Sequence, residues 1–104
     1  MEEPKKNQQI TIEINEEIGQ GIYSNLAIIS HSPSEFVIDF VRVMPGVPKA
    51  SVKSRIILTP EHAKRLLAAL KDNVSRFEAQ FGPIKKIEEP GINPMVFGAP
   101  GGQA

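Results

Sequence analysis

The stretch "YSNLAIISHSPSEFVIDF", Tyr23–Phe40, holds two apolar runs on either side of a short polar connection. The connection "HSPSE", His31–Glu35, contains Pro33, which has no amide donor and suits a turn. The stretch therefore reads as a hairpin. Its first strand spans about Ile22 to Ser30, with Leu26 and Ile28 on one face and Ala27 and Ile29 on the other. Its second spans about Glu35 to Met44. Phe36, Ile38 and Phe40 lie on one face there, and Val37, Asp39, Val41 and Val43 on the other. Both strands are apolar on both faces, so both sides of the sheet need cover.

Upstream, "QITIEINEEIG" puts Ile10, Ile12 and Ile14 on one face and Thr11 and Glu13 on the other, the alternation of a half-buried strand. Gly19 and Gly21 mark a turn or bulge after it. Downstream, "PGVP", Pro45–Pro48, breaks the chain. "KASVKSRIIL" then predicts a fourth strand, with Val52, Ile56 and Leu58 facing one side and Ser51, Lys53 and Arg55 the other.

A helix follows. Thr59 can cap its free amides, Pro60 suits the first helical position, and Glu61 places negative charge at the positive helix end. Gly82-Pro83 stops it after Phe81. Its apolar residues Ala63, Leu67, Leu70, Val74, Phe77 and Phe81 are spaced four, three, four, three, four, which makes one narrow seam. Leu66 widens it. The expected fold is α+β: a four-stranded antiparallel sheet, then one long C-terminal helix packed on it. The division is a disordered N-terminus (1–8), a single domain (9–84) and a flexible Pro/Gly-rich tail (85–104) carrying the apolar segment "INPMVF", Ile92–Phe97.

Composition excludes several functions. The 104 residues contain no cysteine, which removes disulfides, thiolate catalysis and Cys-based zinc sites. Lys plus Arg and Asp plus Glu balance at 12 each, which argues against a dedicated nucleic-acid binder. "MEEPKKNQQ" is not a secretory signal, and no apolar run approaches the roughly 20 residues of a membrane span, so the expected compartment is the cytoplasm. "GQG" lacks the third glycine and the following helix of a dinucleotide fingerprint. His31 and His62 stand in a turn and a helix start, with no ligand spacing between them. Asp39, set among apolar residues, is expected to pair with Arg42 or with Arg55 on a neighbouring strand. No catalytic residue, cofactor or metal is expected.

The geometry of cover points to a partner. Four strands make a sheet roughly 19 Å across, whereas one helix is about 10–12 Å wide. One face is left open, and on it Ala27, Ile29, Val37, Val41 and Val43 are expected to form an apolar patch, rimmed by Tyr23, Asn25 and His31. The expected occupant is a second copy, as a dimer, with a further protein partner unidentified. The alternative is a nucleic-acid contact through Lys49, Lys53, Arg55, Lys64, Arg65 and Lys71.

The tyrosine-serine-asparagine opening, the His-Ser turn, the Glu-Phe and Asp-Phe pairs and the "TPEHAK" helix start together resemble a family of short bacterial proteins classed as a domain of unknown function. That resemblance spans roughly Ile10 to Ile84 and implies no activity. A looser likeness, in layout alone, is to the SecB-like export chaperones, and it implies an oligomer with exposed apolar grooves.

Overall fold

The computed structural model describes residues 9–86. Residues 1–8 and the segment containing "INPMVF" lie outside the described residues. The order of elements is α1 (Glu16–Gly19), β1 (Leu26–His31), β2 (Phe36–Arg42), β3 (Ser51–Leu58) and α2 (Pro60–Phe81). The three strands form one antiparallel meander with β2 at its centre.

Each connection follows from its residues. Between β1 and β2 the Ser32 N–H donates to the Glu35 carbonyl at 2.9 Å, and the Ser32 hydroxyl accepts from the amides of Ser34 and Glu35. Pro33 holds the second turn position, where its fixed φ is an advantage. Between β2 and β3 the Val47 N–H donates to the Met44 carbonyl at 3.2 Å. Pro45 and Gly46, the latter at φ +79°, fill the central positions as a type II turn requires.

The expected strand at Ile10–Ile14 is a correction. The sheet has three strands among the described residues, and this segment pairs with none of them. Ile10 and Ile12 are 86% and 89% exposed. Alternation makes a chain competent to be a strand, but a strand exists only against another backbone. Next to the segment, Asn15 caps the single turn of α1 by accepting from the Ile18 amide at 2.7 Å. Gly21, at φ +79°, then turns the chain toward β1.

A second correction concerns faces. Directly opposed residues of an antiparallel pair share a face. Ala27 lies opposite Phe40 and Ile29 opposite Ile38, whereas Leu26 lies opposite Val41 and Ser30 opposite Val37. A β-bulge then interrupts β3: Phe40 faces Ser54 but Val41 faces Val52, so Lys53 is the extra residue. Val52 thereby moves to the face of Arg55 and Ile57, away from Ile56 and Leu58. Both faces carry apolar side chains.

The third correction is the helix. The boundaries of α2 match the capping signals: the Thr59 hydroxyl accepts from the His62 amide at 3.2 Å, and the Gly82 N–H closes the last turn on Glu78. Yet α2 does not pack on the sheet. It makes no more than glancing contact with any strand, and none of its residues is buried. A βα connection usually needs two to six residues to reverse direction. Here Thr59 alone separates β3 from α2, so the helix leaves the sheet instead of folding back. The core is correspondingly small: Ile38 and Val41 at 8% and 3% exposure, with Asp39 beside them at 6%.

Candidate interaction surface

The "YSN" residues organise the open end of the β1–β2 hairpin. The Asn25 amide group donates to the Val43 carbonyl at 3.0 Å and accepts from the Val43 N–H at 2.8 Å. Its own backbone N–H donates to Val41 at 3.1 Å. The side chain thus replaces one rung of the ladder just beyond the end of β2. The Ser24 hydroxyl is shared between the carbonyls of Leu26 and Val41, at 3.0 and 3.1 Å. Asn25→Ala removes both bonds to Val43 and is expected to cost about 1–2 kcal/mol, read as a lower denaturation midpoint with the slope unchanged.

The expected partner surface is divided by the register. Tyr23, Asn25, Ala27, Ile29 and His31 share one face by alternation, and Val37 and Val41 belong to the other. Val43 lies beyond β2, clamped by Asn25. Val41 is inside the small core, so a charge there would test folding and not association. His31 stacks on Phe36, with ring centroids 5.5 Å apart. Tyr23 and Ile29 are exposed. On the first face, an open groove between α1 and the sheet is lined by Ile18, Gly21, Ile22, Phe40, Ser54 and Ile56.

On the second face Asp39 and Arg55 lie directly opposite each other. The guanidinium grips the carboxylate with two bonds, from Nε at 2.6 Å and Nη2 at 2.8 Å. This is the cross-strand pair expected from the sequence, with Arg55 and not Arg42 as the partner. The hydrogen bonds from Arg55 hold the Asp39 carboxyl below the ordinary carboxylate range, against the opposing effect of burial. The folded state therefore binds its proton at lower pH than the unfolded chain does. The stabilisation is complete above the unfolded value near 3.8 and is lost as pH falls through the lower folded value. Asp39→Asn is expected to flatten the acid limb of the stability–pH curve, measured by denaturant unfolding at a series of pH values.

Arg55 is committed to Asp39. Lys49, Lys53, Lys64, Arg65 and Lys71 are exposed, on or beside β3 and on α2. Arg76 pairs with Asp72 one helical turn away at 2.9 Å. His62 stands in the first turn of α2, near the sheet end that holds His31, but no metal-holding group of three or more His, Cys, Asp or Glu residues exists among the described residues. No helix among the described residues is long and apolar enough to cross a membrane.

An open apolar surface runs along α2, where the sequence pattern predicts packing on the sheet. Leu67 and Phe81 are each 66% exposed, and Leu70, Val74 and Phe77 between them are exposed as well. The rings of Phe77 and Phe81 touch at a tilt of 45°, with centroids 4.9 Å apart. The surface therefore combines a helix with an open apolar seam and a sheet with two incompletely covered faces.

These features define a small α+β domain whose apolar surfaces are only partly buried within one chain. The chain belongs to the family described as "Protein of unknown function (DUF3467)", which matches residues 1–86. No curated protein and no solved structure matches it. The likeness to SecB-type chaperones assumed four strands, and the described sheet has three.

Proposed function

We infer that this protein is a non-enzymatic, cytoplasmic protein-binding module that works as a homo-oligomer, with two copies as the smallest complete unit. One observation carries the reading. Among the described residues, 19 large apolar side chains are exposed, and α2 buries none of its 22 residues. Monomeric soluble proteins rarely leave contiguous apolar surface of this kind open, and a helix draws most of its stability from packing an apolar face. Assembly supplies that packing, and apolar surface that remains open afterwards serves to adapt the oligomer to another protein.

The fourth strand belongs to this assembly. Ile10–Ile14 has the pattern of a strand and no partner in its own chain, while β1 and β3 each leave an edge unpaired. Adding the segment to the β1 edge of a second copy completes the four-stranded sheet by main-chain bonds. Hydrogen exchange tests this. The amides of residues 10–14 are expected to be protected at high protein concentration and to lose protection on dilution. Fast exchange at every concentration would mean that residues 10–14 form no fourth strand.

The alternative is a nucleic-acid-associated protein using Lys49, Lys53, Lys64, Arg65 and Lys71. It is weakened by the commitment of Arg55 to Asp39 and by the zero net charge. Salt separates the two readings. About five phosphate contacts would lose roughly 500-fold in affinity between 50 and 200 mM salt, whereas association through apolar surface is expected to change little over that range.

A further inference from the structure

We propose that α2 pairs with α2 of a second copy in antiparallel orientation, with the two-fold axis passing beside residue 72. The proposal rests on the self-association reading and specifies its interface. The seam from Ala63 to Phe81 is about 27 Å long and follows the alternating three-and-four spacing of a two-helix contact. It is not covered by its own sheet: Thr59 is the whole connection between β3 and α2, and no residue of α2 is buried.

The seam is complementary to itself only when reversed. About residue 72, Ala63 meets the second copy's Phe81, Leu67 meets its Phe77, and Leu70 meets its Val74. The smallest side chain faces the largest at each end, so the helix axes can stay evenly spaced. Parallel pairing would set Phe81 on Phe81 and Phe77 on Phe77 at one end and Ala63 on Ala63 at the other. The helices would splay at the first end and leave a gap at the second.

The flanks favour the same orientation. One turn-edge of the seam carries Lys64, Lys71 and Glu78. Reversed pairing brings Lys64 to the second copy's Glu78, twice by symmetry. Glu78 accepts from the Ile84 amide through one carboxylate oxygen and can offer the other to the ammonium. Lys71 meets its own copy across the axis, an exposed pair whose long side chains can spread into water. Parallel pairing forms no ion pair along either flank. Opposed helix dipoles add to the preference.

The chain has no cysteine, so single labels can be placed cleanly. Arg65→Cys, Asp72→Cys and Ala79→Cys each put a nitroxide on the outward side of α2 in the full chain. Dipolar spectroscopy measures the separation between the two copies, and light scattering measures the mass of each labelled variant. The expected result is the shortest distance at 72, with longer and matching distances at 65 and 79, where the labels are offset by about 21 Å along the axis. Equal distances at all three positions would mean parallel pairing and overturn the proposal. A dimer mass with any other distance pattern places the interface elsewhere, which overturns the helix pairing and leaves self-association standing. A single-chain mass for the unlabelled protein removes both.

Discussion

Leu70→Glu is expected to convert the assembled protein to single chains. Leu70 lies at the middle of the seam and is exposed within its own chain, so the substitution leaves the sheet and its hydrogen bonds untouched. In a symmetric pair the charge enters twice, each time against apolar side chains of the other copy. Losing about 2 kcal/mol per copy at a buried central position raises the dissociation constant roughly 10³-fold. The measurement is solution mass across a dilution series, with helix content followed by circular dichroism. Ala68→Glu, on the outward side of α2, is the control and is expected to leave the mass unchanged. If both variants behave alike, the seam is not an interface.

Arg55→Ala is expected to destabilise the fold more than Asp39→Asn does. The two residues form one ion pair but sit in different surroundings. The Asp39 side chain is buried, while that of Arg55 is 60% exposed. Removing Arg55 strands a buried carboxylate, the costly way to break such a pair. Removing the Asp39 charge leaves a guanidinium that water can solvate. A melting-temperature loss on the order of 10 °C is expected for Arg55→Ala and about half that for Asp39→Asn. Lowering the pH should narrow the gap, because protonation relieves the stranded Asp39. Equal losses, or the reverse order, would mean that burial does not decide the energetics of this pair.

The local features were legible from the residues. Thr59, Pro60 and Gly82 bound α2 because capping is settled by neighbours in the chain, and its observed ends match. Pro33 and the Pro45-Gly46 pair mark their turns for the same reason. Asp39 announced a partner because a carboxylate among apolar residues needs one, and cross-strand register supplied Arg55. Relations between elements were less legible. Alternation sorts the side chains of one strand, but it does not say which set of the next strand shares their face. Alternation alone therefore groups Ala27 and Ile29 with Val37 and Val41, which the register places on the opposite face. The bulge at Lys53 reverses the side of Val52 and leaves no clear mark in composition.

The two largest differences share a cause. Ile10–Ile14 carries the pattern of a strand, and the seam of α2 carries the pattern of a packed helix, yet neither is satisfied within one chain. Such patterns record that a surface is to be covered without naming what covers it. In the proposed assembly a second copy would answer both, through an exchanged strand at a sheet edge and a reversed helix pair. The "YSN" residues act locally, within one hairpin. Ser24 and Asn25 act on backbone groups of Leu26, Val41 and Val43, so their place in the motif follows from holding the hairpin end closed.

The most direct test is the solution mass of the full-length protein, by light scattering after size exclusion, at low and high salt. Two copies or more of the 11.4 kDa chain, little changed by salt, is the expected result. A mass of one chain at every concentration would contradict self-association, because the exposed surfaces of α2 and the sheet would then be stable without a second copy.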